Sequence, residues 1–255
     1  MSNDQTSDGN YIKFKDALIR VIQPVALARI ELNRGETREW LRDLIFNEPE
    51  PRQLRPLEHL YEKFITDLWN EFHEIVKSYD NLKDIEIYIR RFPYRRLQIK
   101  PSRYLRYHIE NYLHEIYILS ERFNKFLTVL QRKYRKSLLD KEVRDICKNL
   151  EQLRKIFLDD LVKVRAGHVH KNRYTDNGIE RLEFIEMMTQ RDPKTDTRFS
   201  ELSKSIYREI RTEWVKIING TNLIVLQFLD SSCKFLLLLF DSEGNFMYPD
   251  NLINK

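Results

Sequence analysis

Glycine and proline are scarce in this 255-residue chain, at 6 and 8, and cysteine occurs only twice. Gly and Pro punctuate the turns of sandwiches and barrels, so their scarcity excludes loop-rich β folds and long flexible linkers and points to helices. Cys147 and Cys233 cannot staple a chain of this length, and each stands in an apolar-periodic run where a small buried hydrophobe serves. A reduced environment fits them best. Residues 1–10 are polar, with neither a basic start nor an apolar stretch of a secretory leader, and a cytoplasmic location is expected. Also missing are a Gly-rich phosphate loop, a G-x-S-x-G elbow, H-E-x-x-H and C-x-x-C, along with the chemistries they support. No internal repeat is visible.

Long apolar runs are nearly absent too. The one exception, residues 222–240, carries Asp230, Ser231, Ser232 and Lys234 at its centre. Each charge there costs about 2.5–3.5 kcal/mol on a membrane-insertion scale, so the run reads as a buried core helix with Asp230 and Lys234 as an i,i+4 pair, and no membrane association is expected.

What is present is helical periodicity. Apolar residues recur at 57, 60, 61, 64, 65, 68, 72, 75, 76 and 79, the spacing of an amphipathic helix. No proline occurs between Ser102 and Asp192, and two long helices are predicted there, over about residues 102–136, with Ser102 as N-cap, and 140–164, with Asp140 as cap. A further periodic run over 199–217 leads to the apolar helix after Gly220. Two stretches are ambiguous: residues 11–32, where Pro24 interrupts the pattern, and 84–94, where Ile85, Ile87 and Ile89 alternate as in a strand but Pro93 suits an extended connection. A short helix is expected over 37–47, followed by Pro49, Pro51 and Pro56. The predicted architecture is all-α: an antiparallel helical bundle with long paired helices over residues 57–255, preceded by an N-terminal extension, 1–56.

Net charge is +5, but it is unevenly spread: −4 over residues 1–85, +9 over 86–136, +2 over 137–219 and −2 over 220–255. Within the positive stretch, Arg90, Arg91, Arg95, Arg96, Lys100, Arg103 and Arg106 follow one another without an acidic residue, interleaved with Phe92, Tyr94 and Tyr104. Arginines neutralise phosphates and aromatic faces stack unpaired bases, so the mixture suits single-stranded RNA. Equally, it could pair with the acidic N-terminal segment.

Six histidines are present, and the densest local feature is Arg165-Ala166-Gly167-His168-Val169-His170, where the second long helix runs out of apolar periodicity. It sets a permanent cation beside two groups that titrate near neutral pH. A metal pair at His168 and His170 is disfavoured, since on a helix the two point about 200° apart, and no acidic or cysteine ligand stands at suitable spacing. Arg165 and His168 can also simply cap a helix end, with Gly167 in the left-handed position beyond it.

The Arg165 to His170 spacing, R-x4-H at the end of a long bundle helix, resembles the motif of HEPN domains (higher eukaryotes and prokaryotes nucleotide-binding), and the likeness in architecture covers roughly residues 57–240. Many of these all-α proteins are metal-independent endoribonucleases in toxin–antitoxin, abortive-infection and CRISPR-associated systems. The resemblance implies no cofactor, a homodimer with a composite active site, RNA as substrate and an antitoxin or defence-system partner. It implies that His170 acts as general acid or base on the ribose 2′-hydroxyl and that Arg165 holds the phosphate. The residue after the arginine is usually polar in that family; here it is Ala166. His108, Asn111 and Glu115 form one polar line on the preceding helix, either supporting that pair, with His168, or lying on a solvated flank. The competing expectation is a non-catalytic helical module that binds RNA or a partner protein. A sequence-specific DNA binder is disfavoured, because no short helix-turn-helix pair with a basic second helix is evident.

Overall fold

The computed structural model describes residues 9–32, 60–91, 99–171, 176–189 and 196–252; at 29, 31, 32, 164–171, 189, 196 and 197 it describes the backbone alone. The expected short helix over 37–47 lies outside the described residues. The fold is an all-α helical bundle: among the described residues there are six α-helices, and the one β element is an isolated antiparallel bridge between Phe240 and Phe246. The helices are α1 (Asn10–Leu32), α2 (Leu60–Arg90), α3 (Pro101–Tyr134), α4 (Asp140–Lys171), α5 (Asn177–Thr189) and α6 (Asp196–Leu236). They contribute to two compact units, one from the described parts of Met1–His73, Phe126–Leu150 and Asp230–Lys255, the other from Glu74–Lys125 and Glu151–Leu229.

Several boundaries differ from the sequence-based expectation. Residues 84–90 continue α2 as helix, not strand: Leu82 and Ile89, one heptad apart, are fully buried while Ile87 is exposed, so the Ile alternation is incidental to a helical face. Pro24 lies inside α1 on its exposed side, where the lost hydrogen bond faces solvent. Gly220 does not break α6, which runs for 41 residues with Ile218 and Val225 buried on either side of it. α4 runs on to Lys171, seven residues past the expected end.

In the first unit an aromatic core gathers around Phe64 and Phe72. Phe14 of α1 meets Phe72 edge-on at 5.0 Å and Phe240 at 6.1 Å, and Phe64 meets Tyr134 at 5.5 Å and Tyr248 at 5.8 Å. α1 has no acidic residue in its first turn. The carboxylate that caps it comes from 220 residues away: Asp230 accepts from Asn10 Nδ2 at 2.9 Å and, through its other oxygen, from the Tyr11 amide at 3.0 Å. Gly9 permits this approach, since a Cβ there would lie 2.8 Å from Asp230 Oδ1. Asp230 thus serves α1 and not the expected pair with Lys234, which is exposed. Both cysteines are buried free thiols in this unit; burial pushes Cys147 up to about 11 and Cys233 higher still, so both stay protonated.

The second unit repeats the device. Ser102 does not cap α3 with its side chain; its amide and hydroxyl both donate to the buried Glu186 of α5, at 3.1 and 2.5 Å, and Pro101 takes the first helical position. Asp176 caps α5, accepting from the Gly178 amide at 2.8 Å, and its second oxygen accepts from Trp214 Nε1 of α6 at 3.1 Å. Tyr112 is buried and donates to Asn222 Oδ1 at 2.8 Å, while Phe123 packs on Phe228 at 4.7 Å. One described helix, α6, is long and apolar enough to cross a membrane by length and composition; Val225, Phe228 and Leu229 on it are buried in the fold.

Candidate functional site

The basic segment closes α2 and opens α3 in the second unit. Arg95 and Arg96 lie outside the described residues, as do Phe92 and Tyr94. The cations that are described are not all unopposed. Arg90 pairs with Glu86 one helical turn earlier, and Arg106 pairs with Glu183 of α5 at 2.6 Å. Lys100 acts electrostatically on Glu186, although burial is the larger influence on that carboxyl and holds it above its ordinary value. Arg91 and Arg103 are exposed, with no carboxylate at ion-pair distance among the described residues.

The polar line expected on α3 stays on one helix, but its members have different neighbours. His108 sits in a ring of tyrosines, 4.4 Å from Tyr104, 5.2 Å from Tyr107 and 5.5 Å from Tyr88. Tyr104 donates its hydroxyl to the Tyr88 carbonyl at 2.9 Å, which fixes one wall of this cluster. Partial burial holds the His108 imidazole below its ordinary value, favouring the neutral ring at neutral pH. Asn111 is half-buried, and Glu115 faces Arg122 at 3.8 Å, an arginine that also donates to Ser78 Oγ at 2.6 Å and pairs with Glu74 at 3.1 Å. Glu115 is therefore part of a packing network between α2 and α3. Tyr88 and Tyr107 are 50% and 61% exposed, so the aromatic surface next to Arg91 and Arg103 comes from them. Periodicity in the sequence hinted at neither, because both occupy the non-core side of their helices.

Arg165, His168 and His170 all fall inside α4, where the backbone is described and the side chains are not. At about 100° per residue, Arg165 and His168 share a helix face some 60° apart, whereas His170 is about 140° round from Arg165. The continuous helix through Gly167 removes it from the left-handed position after a helix end.

A second cationic site, which the sequence reading passed over, lies in the first unit. A pocket of about 740 Å³ is lined by Lys63 from the first turn of α2 and by Arg132, Lys133, Arg135 and Lys136 from the end of α3 and the loop after it. Its one acidic residue, Asp67, is engaged by Lys133 at 2.8 Å, and that ammonium also lies 4.8 Å over the Phe64 ring. The loop is tied down by hydrogen bonds from Asn251 Nδ2 to the Arg135 carbonyl at 3.1 Å and from the Leu138 amide to Asp250 at 2.8 Å. The four loop and helix-end cations belong to the same +9 stretch whose earlier half was singled out; spacing in the sequence gives no sign that Lys63, about seventy residues before them, joins them.

Among the described residues no group of three or more His, Cys, Asp or Glu side chains is gathered to hold a metal ion. No family model, curated protein or solved structure matches the chain.

Proposed function

We propose that the chain is a metal-independent endoribonuclease of HEPN type, working as a homodimer in a toxin–antitoxin or anti-phage defence setting. The observation that supports this reading is that Arg165 and His170 lie in the last two turns of a long helix of an all-α fold, as in the motif they resemble; standing about 140° apart there, they meet at one phosphate only through the pairing of two protomers. His170 takes the proton of a ribose 2′-hydroxyl as its oxygen attacks the adjacent phosphorus; the bond to the 5′-oxygen breaks, and that oxygen leaves with a proton from the second imidazole of the composite site. The products are a 2′,3′-cyclic phosphate and a 5′-hydroxyl. Arg165 holds the non-bridging oxygens through the added charge of the transition state. Requirement for the 2′-hydroxyl restricts cleavage to RNA. Labelled single-stranded RNA in excess chelator is expected to be cut by the wild-type protein, with the rate falling about 10²–10⁴-fold in His170→Ala and Arg165→Ala. Cleavage by both variants at the wild-type rate overturns the reading.

A second reading, a non-catalytic RNA-binding module, is favoured by the exposed Tyr88 and Tyr107 rings beside Arg91 and Arg103. Base stacking on such rings contributes about 1–3 kcal/mol per base. RNA that is retained uncut, and bound at least tenfold more weakly by Tyr107→Ala, selects this reading over the first.

A further inference from the structure

We propose that the pocket of the first unit is a binding site for a small molecule carrying several phosphate groups. Four of its cations, Lys63, Arg132, Arg135 and Lys136, have no carboxylate at ion-pair distance among the described residues, and the fifth is already matched by Asp67. All four are exposed, so their mutual repulsion is screened, but they line one concave surface and their fields add at its opening. The ordinary explanation for basic residues at such a place is the helix dipole, which favours them in a last turn. That accounts for Arg132 and Lys133 at the end of α3. It also covers Arg135 and Lys136 just past that turn, where Lys136 takes the left-handed position common after a helix end, φ 65°, with its amide donating to Asp140 Oδ2 at 3.0 Å. Left-handed backbone is unfavourable for lysine, and here it sets the side chain on the wall of the pocket. The dipole does not account for Lys63, which occupies the first turn of α2, where the helix end is itself positive.

The size and lining select the ligand. A cavity of about 740 Å³ is far larger than a single inorganic phosphate needs and falls in the range of small-molecule sites. The apolar lining is Leu60, Leu252 and Phe64, and the Phe64 ring is only 3% exposed, enclosed by Tyr134, Tyr248 and Lys133. No free aromatic face is offered for stacking a base. Recognition therefore rests on several phosphate groups held close together, which a polyphosphate chain, a nucleoside triphosphate and an inositol polyphosphate share.

Titration calorimetry on the full chain with inorganic tripolyphosphate, ATP and inositol hexakisphosphate tests this, with AMP and inorganic phosphate as controls. At least one of the three polyphosphates is expected to bind at least tenfold more tightly than both controls, with an affinity that falls steeply between 50 and about 300 mM salt, as for several ion pairs formed at once. Near-equal affinity for ATP and tripolyphosphate identifies the phosphate chain as the determinant, while a marked preference for inositol hexakisphosphate identifies a polyol scaffold; either supports the site. Lys63→Gln and Arg135→Gln are each expected to weaken binding about tenfold, as is Lys136→Gly, which removes the charge while suiting the left-handed backbone. Circular dichroism confirms that each variant is folded. His170→Ala is expected to bind as the wild type does, so failure of the ribonuclease reading and failure of this one are separable. Absence of binding by all three polyphosphates, unchanged affinity in the folded pocket variants, or saturation only by a long RNA oligomer overturns the proposal.

Discussion

Two cation-rich places in this molecule look alike as sequence and differ as physical objects. In the second unit Arg90 and Arg106 are matched by Glu86 and Glu183, and the carboxylate of Glu186 sits on the Ser102 end of α3. In the first unit Lys63, Arg132, Arg135 and Lys136 line a pocket whose only acid is already engaged by Lys133. Net charge along a chain counts both alike. What distinguishes them is how many of the cations meet a carboxylate, one turn back on the same helix, as Glu86 for Arg90, or from another helix, as Glu183 for Arg106; Arg91 and Arg103 meet none among the described residues and, like the pocket cations, leave a field that an anion can occupy.

The comparison breaks most sharply at Glu186. It is 8% exposed and takes two hydrogen bonds from Ser102, so Glu186→Ala leaves a buried amide and hydroxyl unpaired; a loss of about 2–3 kcal/mol is expected in urea unfolding. Its pKa is raised above the ordinary 4.5 by burial, so the folded state holds its proton more tightly than the unfolded state does. The resulting stabilisation is fully present below the ordinary value and is lost as pH rises through the raised one. Glu186→Gln should remove this part of the pH dependence, so the difference in unfolding free energy between wild type and variant is expected to shift in the variant's favour as pH climbs from 4 toward 7.

A smaller effect is expected from the pocket side. Lys136→Gly relieves the left-handed backbone and one member of a like-charge group, and a gain of about 1 kcal/mol in stability is expected from denaturant titration. Smallest is the direct contrast of two arginines. Arg106→Ala breaks a partly exposed ion pair and should cost at most about 1 kcal/mol, with the cost shrinking in high salt. Arg135→Ala removes a cation that has no carboxylate at ion-pair distance among the described residues and acts only weakly on Asp140, so it should be near neutral, within a few tenths of a kcal/mol at low salt. Equal losses for the two would erase the distinction drawn above.

Much of the helical content was legible from residue spacing. The helix expected over 102–136 is observed as Pro101–Tyr134, and α4 begins at Asp140, but the Asp140 carboxylate accepts from the Lys136 amide and the Arg144 guanidinium and not, as expected of a cap, from the first amides of its own helix. The misses have local causes. Ile85, Ile87 and Ile89 alternate, and only packing shows that Ile89 belongs with Leu82 on a helical face. Gly220 and Pro24 are helix breakers by propensity, but both fall at exposed positions of long helices whose other faces are buried, and tertiary burial outweighs roughly 1 kcal/mol for a glycine or 3 for a proline. Of the candidate site, His108 and Glu115 were correctly placed on one helix, yet the Tyr88 ring beside His108 and the Glu74 carboxylate that shares Arg122 with Glu115 arrive from α2.

By itself, then, the sequence determined the all-α class, two long helices at 101–134 and from 140 onward, and the inert burial of Cys147 and Cys233, whereas the continuation of the second helix through Arg165, His168 and His170 was seen only in the structure. The first three follow from periodicity and composition, which act over a few turns of chain. Only the tertiary structure decided that Asp230 caps α1 from 220 residues away, that Glu183 and Glu186 meet the start of α3, and that Lys63 joins Arg132, Arg135 and Lys136 around one pocket. Charge pairing depends on distances of a few ångströms between residues far apart in the chain, and no local pattern of spacing encodes it.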